Sequence, residues 1–137
     1  MPLRKDRVKK FKLKPVTRPE SEEGRLLTRW KRSCSTTIPE LCALYHIPNE
    51  NNHRKIPEGV LPGMPDYCLP IARNGYHAFY FELKRLEGGI ISDSQSEVGD
   101  ILQQYGNRVE FICGWEAARN RILQYLNGEI DNETPVA

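Results

Sequence analysis

Asp66, Glu82 and Lys84 are of types that together can hydrolyse an ester. In the run HAFYFELK, residues 77–84, strand alternation puts Phe79, Phe81 and Leu83 on one face and Ala78, Tyr80, Glu82 and Lys84 on the other. The first set can fill a core. The second ends in a carboxylate and an ammonium, side by side on a strand that otherwise reads as buried, where unpaired charge is costly. Asp66 follows the turn-rich Gly63-Met64-Pro65, just before a second strand, so a hairpin brings it within reach of Glu82. Two carboxylates are hard oxygen ligands suited to Mg²⁺, which readily shares its sphere with phosphate oxygens. Such a cation polarises a phosphodiester and lowers the pKa of an attacking water, while a lysine orients that water and offsets developing charge. Alone, a Glu-x-Lys pair on a strand is commonly a solvated ion pair, and an Asp after Pro a plain turn residue. Their conjunction with a hairpin and an apolar run is more specific.

The elements that must position these groups follow from periodicity. Tyr67–Ile71 and His77–Lys84 read as strands joined by Arg73-Asn74-Gly75-Tyr76, whose Asn-Gly pair signals a tight hairpin. Ser92-Asp93-Ser94-Gln95 has the form of a capping box that opens a helix with an apolar stripe of Val98, Ile101, Leu102 and Tyr105, ending at Gly106. A strand over Val109–Cys113 and a helix over Trp115–Leu126, closed by Asn127-Gly128, complete the second half. Upstream, Thr17-Arg18-Pro19-Glu20 also has the form of a capping box, opening a helix with Leu26, Leu27 and Trp30 buried and an end near Ser33. Pro39–Ile47 reads as a short helix passing into a strand, and residues 48–65 as loop. The order predicts an α/β fold, a mixed sheet flanked by helices, with no Gly-rich phosphate loop and no internal repeat.

With 137 residues, 28% charged and 39% hydrophobic, the chain has the size and balance of one soluble domain. No apolar run is long enough to span a membrane, and no apolar segment follows the basic start, so a secretory signal is not expected. Cys34, Cys42, Cys68 and Cys113 include no C-x-x-C pair, which argues against a zinc knuckle or a disulfide framework and for buried intracellular thiols. Charge is unevenly spread. Residues 1–18 carry eight lysines and arginines against the single acid Asp6, whereas residues 127–137 carry three acids and no base. Residues 1–16 are expected to form a mobile basic arm, residues 17–128 the folded domain, and residues 129–137 an acidic tail. Such an arm suits a polyphosphate ligand, and equally a solubilising terminus.

GMPD at 63–66, ELK at 82–84, Gly88-Gly89 and Ser92-x-x-Gln95 resemble the virus-type replication-repair nuclease (VRR-NUC) branch of the PD-(D/E)xK superfamily. His46-Ile47-Pro48-Asn49 and the Glu20-x-x-Glu23 helix start with Leu27 and Trp30 are similar to further motifs of that family, so the resemblance runs from about Glu20 to Leu126. It implies a restriction-endonuclease-like fold and a Mg²⁺-dependent DNA endonuclease, with Mn²⁺ able to substitute. Stand-alone members are similar to Holliday-junction resolvases, tend to be homodimers and often come from phages. By this resemblance Asp66 and Glu82 are metal ligands, Lys84 is the catalytic lysine, and the Leu83 carbonyl is a further ligand. Glu20 matches the first-helix acid, a ligand or water-positioning group. The position four after it, often Gln in the family, is Gly24 here, which leaves Glu23 open as the acid in its place.

Some roles stay open on sequence alone. Glu20 and Gln95 each suit a capping box as well as the metal site. His46 suits a phosphate or a purely structural place, and Asn49, Asn52, His53 and Arg54 form a polar loop suited to phosphate contacts. Trp115, Ala118, Ile122 and Tyr125 fit the core or a dimer seam better than base contacts. The expected function is hydrolysis of DNA phosphodiesters, at branched structures such as Holliday junctions, by an intracellular protein. The alternatives are a non-catalytic DNA-binding module on the same fold and a hydrolase of small phosphate esters such as nucleotides. The long cationic arm argues against the latter.

Overall fold

The computed structural model describes residues 17–48 and 58–131. The basic arm, the polar loop with Asn49, Asn52, His53 and Arg54, and the end of the acidic tail lie outside the described residues.

The first helix, α1, spans Glu20–Cys34, with Glu20, Glu22 and Glu23 in its first turn and Lys31 and Arg32 in its last. Both sets complement the helix dipole. The expected capping box does not form: the N-cap is Pro19, and no side chain caps the helix. Proline ahead of the first turn withholds no needed N–H and presets the backbone, so the start falls there and not at Thr17. A 3-10 helix, Pro39–Ala43, leads into strand β1, Tyr45–His46. Strands β2, Tyr67–Leu69, and β3, Phe79–Lys84, follow, then helix α2, Asp93–Gln104, strand β4, Arg108–Cys113, and helix α3, Trp115–Leu126.

The sheet order is β1-β2-β3-β4, with β1–β2 and β2–β3 antiparallel and β3–β4 parallel. This is the mixed sheet expected, the parallel pair being bridged by α2. The hairpin turn forms as predicted: Asn74 and Gly75 both take positive φ, 48° and 87°, the backbone that an Asn-Gly pair tolerates best. Arg73 and Tyr76 bridge across it.

Phe79, Phe81 and Leu83 join Leu27 of α1 and Ala118, Ile122 and Tyr125 of α3 in one buried cluster, so α1 and α3 cover one face of the sheet. Trp115 packs against this cluster half-buried, so the last helix serves the core. The other face of β3 and β4 is covered by α2. Its stripe is narrower than expected: Val98 is buried, but Ile101 and Tyr105 are 52% and 69% exposed. The buried neighbour is Gly99, which faces Val109 and Phe111 of β4, so that Ile101 and Tyr105 turn outward. The four cysteines are free, but only Cys68 is buried; Cys42 and Cys113 are exposed, against expectation. Cys113 is the last residue of β4, and Cys42 faces out of the 3-10 helix.

Contacts to the hairpin turn continue past Gly128. Ile130 is buried, its carbonyl accepts from the Asn74 side chain at 2.8 Å, and the Asp131 carbonyl accepts from the Tyr76 hydroxyl at 2.7 Å. Among the described residues no helix is long and apolar enough to cross a membrane.

Candidate active site at the end of the hairpin

Antiparallel pairing sets Tyr67 opposite Phe81, so one further step along the ladder sets Asp66 opposite Glu82. Asp66 is fixed from both sides. Its carbonyl accepts from the Ile47 amide at 2.6 Å, continuing the β1 pairing, and its Oδ2 accepts from the Leu83 amide at 3.0 Å. Gly63 explains part of the GMPD turn. It has φ 91°, and a Cβ there would lie 2.3 Å from the Ser94 carbonyl oxygen, so the turn packs directly on the first turn of α2.

That same helix turn completes the site. Ser92 caps α2, accepting from the Gln95 amide, while Gln95 Oε1 accepts from the Ser92 amide at 3.0 Å. Besides the cap, Gln95 reaches the hairpin: its Nε2 donates to Glu82 Oε1 at 2.7 Å, and its Oε1 accepts from Lys84 Nζ at 3.2 Å. Lys84 Nζ also lies 3.5 Å from Glu82 Oε1. Glu82 and Lys84 are only 3% and 7% exposed, on the α2 face of β3. Glu82 Oε2 is buried with no hydrogen-bond partner among the described residues. Burial, and then the charge of Asp66, push the Glu82 carboxyl up to about 7 against the opposing pull of Lys84. The residue is therefore a buried acid facing a second acid, with one oxygen satisfied and one not.

The two candidate acids of the first helix lie in different surroundings. Glu20 is exposed and lines, with Asp66 and Leu83, a cleft of 470 Å³. Glu23 is fully buried elsewhere: its Oε2 accepts from the Trp115 amide at 2.8 Å and its Oε1 pairs with Arg18 at 3.4 Å. Glu23 thus holds the N-terminus of α3, where a carboxylate is favoured. The sequence did not reveal this, because the two elements are 92 residues apart. Glu20 and Asp66 line the same cleft, and among the described residues no three His, Cys, Asp or Glu side chains converge as a metal cluster.

Other cleft residues carry no sequence signature of their own: Ser21, Gly24, Arg25 and Thr28 on one side of α1, and Tyr67 on β2. Their spacing is that of one helix face, but with no apolar residue among them they read as a solvated surface. His46 is exposed and also lines the cleft, its ring edge-on to Tyr67 at 5.2 Å.

A mixed β-sheet flanked by helices, with the PD and ExK segments paired at one end of a hairpin, defines the restriction-endonuclease-like α/β class. A solved structure described as a VRR_NUC domain protein is similar to this chain, with 26% identity and a TM-score of 0.70 over 85% of this chain and 93% of that one. No protein-family model and no curated protein matches the chain. The fold, the motifs and this structural likeness support a resemblance to the VRR-NUC family, and with it a nuclease-family domain.

Proposed function

We propose that this chain is a divalent-metal-dependent endonuclease that hydrolyses DNA phosphodiesters at Asp66, Glu82 and Lys84. The observation that carries the reading is Glu82 Oε2, a buried carboxylate oxygen without a partner among the described residues, facing the Asp66 carboxylate. Two acids kept together at a cost to ionisation, with an oxygen left over, form a donor set that a hard cation satisfies. Asp66 and Glu82 would hold Mg²⁺, or Mn²⁺ in its place, with the Leu83 carbonyl and Glu20 as further oxygen donors. When bound, the cation supplies a Lewis acid for the phosphodiester and a lower pKa for the attacking water.

The chain's own residues do the rest. Lys84 is aimed by Glu82 and Gln95, so its ammonium can orient a water and offset charge growing on the phosphate. Gln95 holds Glu82 by one oxygen and leaves the other for a ligand. Asp66 is half-buried and opens to the cleft, the side from which DNA approaches. The basic residues 1–18 add phosphate contacts that make affinity salt-dependent and indifferent to sequence. By family resemblance the substrate is branched DNA such as a Holliday junction, cut by a homodimer.

The test is incubation of the full chain with labelled junction and linear duplex DNA, with Mg²⁺, Mn²⁺ or EDTA, beside Lys84→Ala and Asp66→Asn. Cation-dependent cuts lost in both variants are expected. Binding of DNA without cation-dependent cuts by the unaltered chain would instead identify a non-catalytic DNA-binding module.

A further inference from the structure

Beside Asp66 the cleft wall is built around a tyrosine whose hydroxyl the fold does not need. The Tyr67 ring is stacked on Phe81 at 5.0 Å and meets the edge of His46 at 5.2 Å, and the residue is only 8% exposed. A phenylalanine would make the same ring contacts. The hydroxyl abuts α1 at Gly24, where a Cβ would lie 2.8 Å from its oxygen. Held between its stack on Phe81 and its T-shaped contact with His46, the ring gives that oxygen little freedom to move aside. Glycine inside a helix is a destabilising choice, and here it makes room for one oxygen atom.

That oxygen has no hydrogen-bond partner among the described residues, yet it is not one of the enclosed unpartnered atoms, which are Glu82 Oε2 and Trp115 Nε1. It therefore opens to the cleft. The cleft of 470 Å³ and a neighbouring one of 240 Å³ share Thr28, His46 and Tyr67, so together they form a groove between α1 and β1. Its acids, Glu20 and Asp66, line only the larger cleft, together with Arg25, whereas His46 lines both and Lys31 the smaller one. An anion is thus repelled by the acids, unless a cation sits there, and attracted towards the smaller cleft.

We propose that Tyr67 is a substrate-binding residue whose hydroxyl donates to a phosphate oxygen of the DNA backbone next to the bond that is cut, with that stretch of backbone lying in the groove between α1 and β1. This rests on the nuclease reading of Asp66, Glu82 and Lys84. Gly24 is the positioning residue that lets the hydroxyl face the groove.

The experiment compares the full chain with Tyr67→Phe, Gly24→Ala and the double variant. It measures cleavage of labelled DNA in Mg²⁺ and the Kd for the same DNA in Ca²⁺. Loss of one hydrogen bond to a charged oxygen corresponds to roughly a 10-fold weaker Kd and at least as large a fall in kcat/KM. The Tm of Tyr67→Phe should stay at the unaltered value. Gly24→Ala should weaken binding in the same direction, and the double variant should fall no further than the worse single one, because both changes remove the same contact. Should Tyr67→Phe lower the Tm, Gly24→Ala, which keeps the hydroxyl but displaces it, supplies the comparison. Tyr67→Phe that binds and cuts DNA as well as the unaltered chain, or strictly additive losses, overturns the assignment. If the unaltered chain cuts no DNA, the nuclease reading fails by itself, and the Kd comparison still decides whether Tyr67 contacts the backbone.

Discussion

Gln95 donates to Glu82 Oε1 at 2.7 Å from the third residue of a capping box, so one side chain both starts α2 and aims the acid of the hairpin. Its other amide atom accepts from Lys84 at 3.2 Å, which ties the ammonium to the same point. Helix start and site geometry are thus a single construction.

These two jobs can be separated by mutation. Gln95→Glu retains an acceptor for the Ser92 amide but sets a third acid against Glu82, whereas Gln95→Ala loses both functions. Loss of the cap and of bonds to two buried charged groups should cost about 1–3 kcal/mol in Gln95→Ala. Nuclease activity should fall by about 10- to 100-fold in both variants, as is usual for groups that orient ligands. Denaturant titration beside a cleavage assay distinguishes the effects. Full activity in Gln95→Glu would mean that Gln95 does not position Glu82.

Glu82 makes stability depend on pH in an uncommon direction. Burial and Asp66 raise its carboxyl from an ordinary 4.5 to about 7 in the folded chain. Between those values the folded state holds a proton that the unfolded state has released. Stability is therefore full below about pH 4.5 as far as this group is concerned, and declines as pH rises towards 7. A divalent cation must displace that proton, so its affinity should increase as pH rises through the same window. Urea denaturation from pH 5 to 8 in EDTA, repeated with Mg²⁺ and with Glu82→Gln, tests this. The decline should be present in EDTA, smaller with Mg²⁺ and absent in Glu82→Gln. A flat unaltered profile in EDTA counts against it.

Much of this was legible in the sequence because it is local. Trp115–Leu126 was read to the residue from its apolar spacing and its Asn-Gly end, and the Asn74-Gly75 turn and the Ser92–Gln95 box from chemistry confined to four residues. What escaped depends on partners distant in the chain. Glu23 was weighed as a site acid, but it closes the N-terminus of α3 instead. The outward turn of Ile101 and Tyr105 follows from Gly99 nestling against β4, which no helical period reveals. Glu20 was read as the third residue of a capping box and is instead the first residue of α1, since Pro19 starts the helix. Tyr67 was read only as a strand residue, for a hydroxyl becomes informative once the groove it faces and the glycine beside it are seen.

Glu110 gives stability of the opposite pH sign. Burial opposes its ionisation, but Arg121, at 2.6 Å through two nitrogens, and Arg108, at 2.8 Å, outweigh it and hold its pKa below the usual carboxylate value. The unfolded chain then binds a proton before the folded one does. The contribution is present above about pH 4.5 and is lost as pH falls below it. Glu110→Gln should cost about 1.5–3 kcal/mol at pH 7, the range for hydrogen bonds to charged groups, and a smaller amount at pH 3. Guanidinium melts of both proteins at the two pH values check it. An equal penalty at both would mean that packing, not charge, is what Glu110 supplies.

Gly63 ties the loop before Asp66 to α2, so a methyl group there should disturb fold and site together. Its φ of 91° disfavours any side chain, and a Cβ would sit 2.3 Å from the Ser94 carbonyl oxygen, a backbone atom that cannot swing away. Gly59 separates the two contributions, since its φ of 87° is nearly the same but no described residue lies within 4 Å of a Cβ placed there. Gly59→Ala should therefore cost about 1–2 kcal/mol from backbone strain alone. Gly63→Ala should cost more, about 3 kcal/mol or above, once the forced shift of the Ser94 turn is added. Because that turn carries Gln95, nuclease activity should fall with Gly63→Ala even at temperatures where the variant is fully folded, and stay unchanged with Gly59→Ala. Thermal melts and cleavage assays on the pair would show it; equal losses would mean that the Ser94 contact does not couple the loop to the helix.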